Sequence, residues 1–335
     1  MLIGAEIRNL LDRFLERIHD RAHGRVFVVF IYTRFHADQN PRVVSFSTLK
    51  VREDTLYTNA AGEEKSRIRK RAEKALTKLE EPLRKVLGAD EVILYAAGAL
   101  APVTTFEQLT FGWYIYQSSR SVLVITNLRL LQFRVGTNGN WRSQVRSVGW
   151  GDVEEVKVKG LLSKTLQLKY RDGRKEKYWG IQRVDGNKIQ FLLETLMPAS
   201  TAEASAANGV MSLCPGCFCP LTSRVYQCTK CGMSFRDERS MLWRSLLIPG
   251  GGYFYARLWF LGAMDCLAEA ILLLMLIVWV LIALGLTAPA SRPNEAPTTA
   301  EDALIVVVFL VVILAIKKGV TIYHCRRRIR EFIPV

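Results

Sequence analysis

The longest apolar stretch of the chain lies near its C-terminus, where Ala270 to Leu286 carries no charge and Leu258 to Met264 extends it backwards. Together they are long enough for a helix that crosses a bilayer. A second run, Ala303 to Ile316, is short for a span by itself, but Lys317 and Lys318 can snorkel while the helix continues to about Tyr323. The pattern predicts a two-helix hairpin within 240–330, with spans at about 258–286 and 303–323. Upstream the period changes. Glu91–Ala96, Ser121–Thr126, Leu128–Val135, Val153–Lys159, Thr165–Tyr170 and Glu176–Gly180 read as short β segments. Thr137-Asn138-Gly139-Asn140 and Arg171-Asp172-Gly173-Arg174 supply the Asn-Gly and Asp-Gly chemistry of tight hairpins. A helix should follow, capped by Asp185, with Ile189, Leu192, Leu193, Leu196 and Met197 on one face before Pro198.

In the first ninety residues, Ile3, Ile7, Leu10, Leu11, Phe14, Leu15 and Ile18 recur at helical spacing, and Gly24 can end that helix. Arg25–Tyr32 and Arg42–Tyr57 read as β segments. Glu63–Leu87 reads as a charged helix with a narrow stripe of Ile68, Ala72, Leu76, Leu79, Leu83 and Val86, bent at Pro82. The chain therefore divides into an N-terminal α/β region (1–89), a β-rich domain with a closing helix (90–198), a flexible Ala/Ser linker (199–210), a cysteine-rich unit (211–236) and the apolar hairpin (240–330).

The cysteine-rich unit holds the most specific motif. Cys214, Cys217, Cys228 and Cys231 form CPGC and CTKC, two C-x-x-C knuckles ten residues apart. Each knuckle can present two thiolates to a tetrahedral ion, and the intervening FCPLTSRVYQ is too poor in apolar residues to make a core. A metal would hold this fold, zinc best, with four sulfurs closing the coordination sphere as in a structural site. Cys219 is spare. A disulfide pair or a redox C-x-x-C are the alternatives; a reducing compartment disfavours the first, and the lack of strand-to-helix alternation disfavours the second. Cys266 and Cys325 read as packing residues, although Cys325 beside three arginines is also a candidate for acylation.

Formal charge is +15 over 335 residues, with a pI of about 9.6. Arg224 to Arg257 holds six basic and two acidic residues, and Lys317, Lys318, Arg326, Arg327, Arg328 and Arg330 follow the second apolar run. The connector between the runs is instead acidic and Pro/Ala/Thr-rich. This asymmetry predicts two spans with both termini in the cytoplasm, and no cleavable signal peptide is evident. Basic residues that flank spans favour attraction to anionic membrane lipids over nucleic-acid binding. Lys65, Arg67, Arg69, Lys70 and Arg71, like Arg326–Arg328, either touch head groups or form a solvated face.

His19 and His23 lie four residues apart but lack further ligands and read as surface residues. Asp265 and Glu269 share one face near the start of the first span. They are either an intramembrane polar site or an interfacial pair partnered by Arg257. No phosphate loop, nucleophile elbow, zinc-protease helix or dinucleotide fingerprint occurs, so the chain reads as a non-enzyme.

Four phrases, SVLVITNLRLLQF, VGWGDVEEVKV, TLQLKYRDGRKEKYW and DGNKIQFLLETLM, resemble in their order the bacterial pleckstrin-homology-like and GRAM-like domains. That resemblance implies an α+β fold, an antiparallel barrel or sandwich with a C-terminal helix, beside the zinc ribbon and the helical hairpin. SLLIPGGGYFYAR is similar to the start of two-span hairpin families, with Pro249, Gly250, Gly252, Phe254 and Tyr255 matching a turn into the membrane and Ala256 standing where glycine is expected. The expected function is a membrane-anchored adaptor of the bacterial inner membrane. Its β-rich domain would bind anionic lipid head groups or another membrane or cytoplasmic protein, with homo-oligomerisation possible. The alternative is a subunit or assembly factor of a channel or transport complex that acts through Asp265 and Glu269.

Overall fold

Apolar runs such as Val122–Ile125 are continuous rather than alternating, and the structure gives the reason: both faces of this part of the sheet are covered. A computed structural model describes residues 49–200, 210–287 and 299–335, all within one compact unit. The helix expected from Ile3, the β segment at 25–32, His19 and His23, linker residues 201–209 and connector residues 288–298 lie outside the described residues.

Among the described residues, eight antiparallel strands follow the order β5-β6-β7-β1-β2-β3-β4-β8. They are β1 (Ile93–Leu100), β2 (Arg120–Thr126), β3 (Arg129–Val135), β4 (Trp141–Gly149), β5 (Val153–Lys159), β6 (Ser163–Tyr170), β7 (Lys175–Gln182) and β8 (Val210–Leu213). A single pair, Leu100↔Trp179, joins β1 to β7, so the sheet falls into a five-stranded and a three-stranded part. Leu123, Ile125 and Leu130 point to one core with Leu166, Tyr178 and the closing helix Arg183–Ser200, through its Ile189, Leu192 and Leu193. Val122, Val124, Leu131 and Phe133 point to a second core under helix Ser66–Val86, through its Leu76, Leu79 and Leu83. Alternate side chains leave a strand on opposite faces, so two covered faces need apolar residues at every position.

Several boundaries differ from the sequence expectations. Within 42–57, the described residues contribute one bridge, Val51↔Ile93, and the helical turn α1 (Glu53–Leu56), which buries Leu56 beneath the sheet's second core. The charged helix is α2 (Ser66–Val86), with Pro82 inside it. β4 was hidden because WRSQVRSVG looks polar; Arg146 is accommodated by Glu176 at 2.6 Å and by Gln132. The connection from β1 to β2 holds two short helices, α3 (Thr105–Phe111) and α4 (Trp113–Ser118). The closing helix, α5 (Arg183–Ser200), starts before Asp185 and runs past Pro198, so Asp185 is no cap and residues 199 and 200 are helical rather than linker.

α6 (Glu238–Leu247), α7 (Gly251–Tyr255), α8 (Trp259–Ala283) and α9 (Ala300–Ile329) follow. A capping box between Thr299 and Asp302 starts α9, which takes in the end of the predicted connector. α8 and α9 pack against each other, and both are long and apolar enough to cross a membrane.

Candidate metal centre and the buried ion pairs of the hairpin

Cys214 directly follows β8, whose residues pair with β4 from Val145↔Leu213 to Val148↔Val210. The cysteine-rich unit is thus fastened to the sheet edge, where Phe218 also stacks on Trp141 with ring centroids 6.1 Å apart. This replaces the expected freely moving module. Two tight turns follow: Phe218 N donates to Cys214 O at 2.7 Å, and Gly232 N to Cys228 O at 2.9 Å. They bring the Sγ atoms of Cys214, Cys217, Cys228 and Cys231 within 4.8 Å of one another. The pairs Cys214–Cys231 and Cys217–Cys228 are each 3.5 Å apart. A tetrahedral thiolate site with metal–sulfur bonds of about 2.3 Å needs sulfurs about 3.8 Å apart, so the donor set fits one ion. The backbone N–H of Cys231, with that of Lys230, pulls the Cys228 thiol down to about 6, toward the thiolate that a metal requires. Cys219 is not remote: its Sγ lies 3.1 Å from that of Cys217 and 3.2 Å from that of Cys228.

The core that FCPLTSRVYQ lacks comes from the far end of the chain. Phe332 meets Phe235 edge-on at 5.6 Å and Tyr226 at 6.4 Å. Phe235 bridges Pro334, Arg236 N donates to Ile333 O at 2.9 Å, and Val335 N to Ser234 O at 3.2 Å. No composition signal pointed to this pairing.

Asp265 and Glu269 face α9, not Arg257. Lys317 Nζ lies 2.5 Å from Asp265 Oδ1 and 3.2 Å from Glu269 Oε1, and Lys318 Nζ lies 2.9 Å from Glu269 Oε2. Lys318 also donates to Ser245 O at 2.5 Å, and Gly250 N donates to Glu269 Oε2 at 3.2 Å. Glu269 is only 1% exposed. Two carboxylates and two ammonium groups therefore fasten α6, the 249–251 turn, α8 and α9 together. The lysines turn inward instead of snorkelling, which two acids one helical turn apart and two adjacent lysines on the other run had the right charges to suggest.

The turn itself is close-packed. Gly250 takes φ +67°, Phe254 packs on Trp259 at 5.7 Å, and Tyr255 lies under the guanidinium groups of Arg236 and Arg244 at 5.0 and 4.6 Å. Gly252 is buried against Ser245, Pro249 is half-buried, and Ala256 is buried where the resemblance expects glycine. Cys325 is fully buried, which removes it as an acylation site.

The basic candidates do not form one surface. Arg71 reaches the buried Asp185, which also accepts from Tyr95 Oη at 2.9 Å. Arg69 pairs with Glu64 and Glu73, and Lys65 with Glu63; Arg67 and Lys70 are exposed. At the end of α9, Arg326 pairs with Glu238 of α6 and Arg327 with Glu107 of α3 at 2.6 Å, while Arg328 pairs with Glu331 just past the helix at 2.6 Å. Arg134 on β3 also pairs with Glu331.

A groove of about 440 Å³ runs between β5 and α5, floored by Val156, Val158 and Leu193 and rimmed by Lys157, Lys159 and Glu194. β5 is the outermost strand on this side of the sheet. No family model matches the chain, and no curated protein sequence matches it.

Proposed function

We propose that this protein is a membrane-anchored adaptor whose β-rich domain takes an extended protein segment along β5 at the cytoplasmic face. The observation that carries the proposal is the outer edge of β5, which pairs with no further strand among the described residues, beside an apolar groove. An edge strand offers unpaired N–H and C=O groups to an added strand, and alternate side chains of that strand can fill the groove. Four strands, then three, then a closing helix is an order that supports the pleckstrin-homology-like reading. α8 and α9 act as the anchor: their most apolar windows are only 6% and 11% buried, unlike the core helices of a soluble protein. Basic residues at their sheet-proximal ends support cytoplasmic termini. Zinc is the ion of choice for the four thiolates, as a closed structural site that holds the sheet edge to the C-terminal tail.

The adaptor catalyses no reaction. The channel reading has less behind it, because Asp265 and Glu269 are neutralised within the chain by Lys317 and Lys318. Head-group binding through the α2 cluster also has less behind it, since Arg69 and Arg71 are committed to ion pairs.

The test is a photo-crosslinker at Lys157 in the full chain, expressed in its native membrane, with adducts identified by mass spectrometry. A defined protein adduct that disappears with Val158→Asp is expected. Adducts confined to lipid, or protein adducts indifferent to Val158→Asp, would make the groove irrelevant to binding.

A further inference from the structure

Surface helices of soluble domains turn charge outward and apolar residues inward. α3 turns its acid inward and apolar side chains outward, and α4, which has no charged residue, also leaves large aromatic side chains outside. Glu107 of α3 is buried, capped by Thr104 and paired with Arg327 of α9, while Phe106 and Leu109 face outward, Leu109 at 82% exposure. Trp113 and Tyr116 continue the exposed face on α4. α6 buries Met241 but also leaves a large apolar flank outside. It buries Ser245 and exposes Trp243, Leu246 and Leu247, the last at 74%.

The two segments are far apart in sequence yet meet the same part of the hairpin. Phe106 packs edge-on against Tyr323 at 5.7 Å, and Phe111 stacks on His324 at 4.0 Å, both near the sheet-proximal end of α9. Tyr114 stacks on Phe260 at 5.4 Å, and Trp113 lies 6.1 Å from the same ring, at the start of α8. The end of α6 is held by Lys318 through the Ser245 carbonyl. Exposed apolar side chains from α3 and α4 are thus continuous with the uncovered surface of the two long helices at the end where their apolar stretches begin and finish, and α6, with its own exposed apolar flank, is held at the same end.

We infer that α3, α4 and the exposed flank of α6 lie in the boundary between lipid head groups and acyl chains, as a collar around the base of the hairpin. The inference rests on the reading that α8 and α9 span a bilayer. Tryptophan and tyrosine favour that boundary, and a helix with one apolar face lies in its plane. An aqueous surface would leave this patch without a partner. The occupant is the bilayer itself because the patch continues the surface that the spans already present to it. The consequence is orientational: the β1–β2 connection presses one end of the sheet against the membrane and holds the β5 groove at a set attitude.

The experiment places p-benzoylphenylalanine singly at Leu109, Leu247, Ile277 and Asp172 of the full chain, reconstituted in phosphatidylethanolamine/phosphatidylglycerol vesicles and irradiated. Ile277 lies within α8 and is exposed; Asp172 is in the β6–β7 turn, at the end of β7 away from Trp179. Lipid adducts at 109 and 247, as at 277, with none at 172, are the expected result. Lipid adducts at 277 but none at 109, or adducts from 109 to a second copy of the chain, overturn the collar and leave the spans standing. Absence of lipid adducts at 277 overturns the spanning reading and the collar with it. In wild type, bromine at a shallow acyl position should quench part of the tryptophan emission, and Trp113→Phe should lose a measurable share of that quenching. Equal quenching in the two proteins counts against the collar.

Discussion

Gly250 is held at φ +67°, and a Cβ there would lie 2.3 Å from the backbone oxygen of Gly262. Neither the conformation nor the space admits a side chain. Gly250→Ala should destabilise the hairpin by about 1–3 kcal/mol, read as a lower thermal midpoint in detergent, whereas Gly319→Ala, with no atom near its added Cβ, should change it little. The cysteines offer a sharper test. Cys214→Ser should remove the bound metal from purified protein, as measured by elemental analysis. Cys219→Ser should retain it, because the four sulfurs of the two knuckles remain. Cys217→Ser should retain part of it, since Cys219 Sγ stands 3.2 Å from Cys228 Sγ and can take the missing position; adding Cys219→Ser should abolish that remainder.

At the scale of elements, the lock between α8 and α9 depends on charge balance in a buried site. Lys318→Met leaves Glu269 with only Lys317 as its cationic partner and strips the Ser245 carbonyl of its donor. Breaking one partner of a buried pair costs about 3–5 kcal/mol, and Lys317 should reduce that toward the lower end. Adding Glu269→Gln should recover part of the loss. Denaturant unfolding followed by helix circular dichroism gives both values, and a double variant no better than the single one would show that the carboxylate is not what Lys318 serves. In the β-rich domain, Arg129 holds the buried Glu91 through contacts at 2.7 and 2.9 Å and donates to Val86 O at 2.7 Å. Arg129→Ala should therefore loosen the junction of α2 with the sheet far more than Arg67→Ala on the exposed face of the same helix, as seen by amide exchange.

Among the described residues, the last few join β3 and the end of α9 to the cysteine unit. Burial would raise the Glu331 carboxyl, but Arg134 and Arg328 outweigh it and hold the group down at about 2. Burial likewise lowers Arg134 to about 10, against the pull of Glu331. A depressed carboxylate stabilises the fold fully above its unfolded value near 4.5, and that contribution is lost as pH falls toward about 2. The thermal midpoint should drop across that window in wild type and fall less in Glu331→Gln, which starts lower at neutral pH. Removal of 331–335 should also lower metal retention, because Phe332 and the 333–335 backbone complete the cysteine unit.

Local signals were enough for the elements whose reasons are local. The apolar runs at 270–286 and 303–316, the two C-x-x-C knuckles and the Asn-Gly and Asp-Gly turns each carry their cause within a few residues, and β3, β6 and β7 beside those turns were legible for that reason. β4 and the α3–α4 connection were not legible, because their polar or aromatic patterns make sense only against partners elsewhere: Arg146 against Glu176, Phe106 against Tyr323. Two long apolar helices, a four-thiol cluster and a run of antiparallel strands can be read from residue order alone. That α2 covers the sheet, that Asp265 and Glu269 meet lysines about fifty residues away, and that the tail returns to close the cysteine unit emerge once the chain is folded. The physical reason is that buried charges and exposed aromatics are energetically ambiguous until their partners are known, and chain order does not specify which distant residues those are.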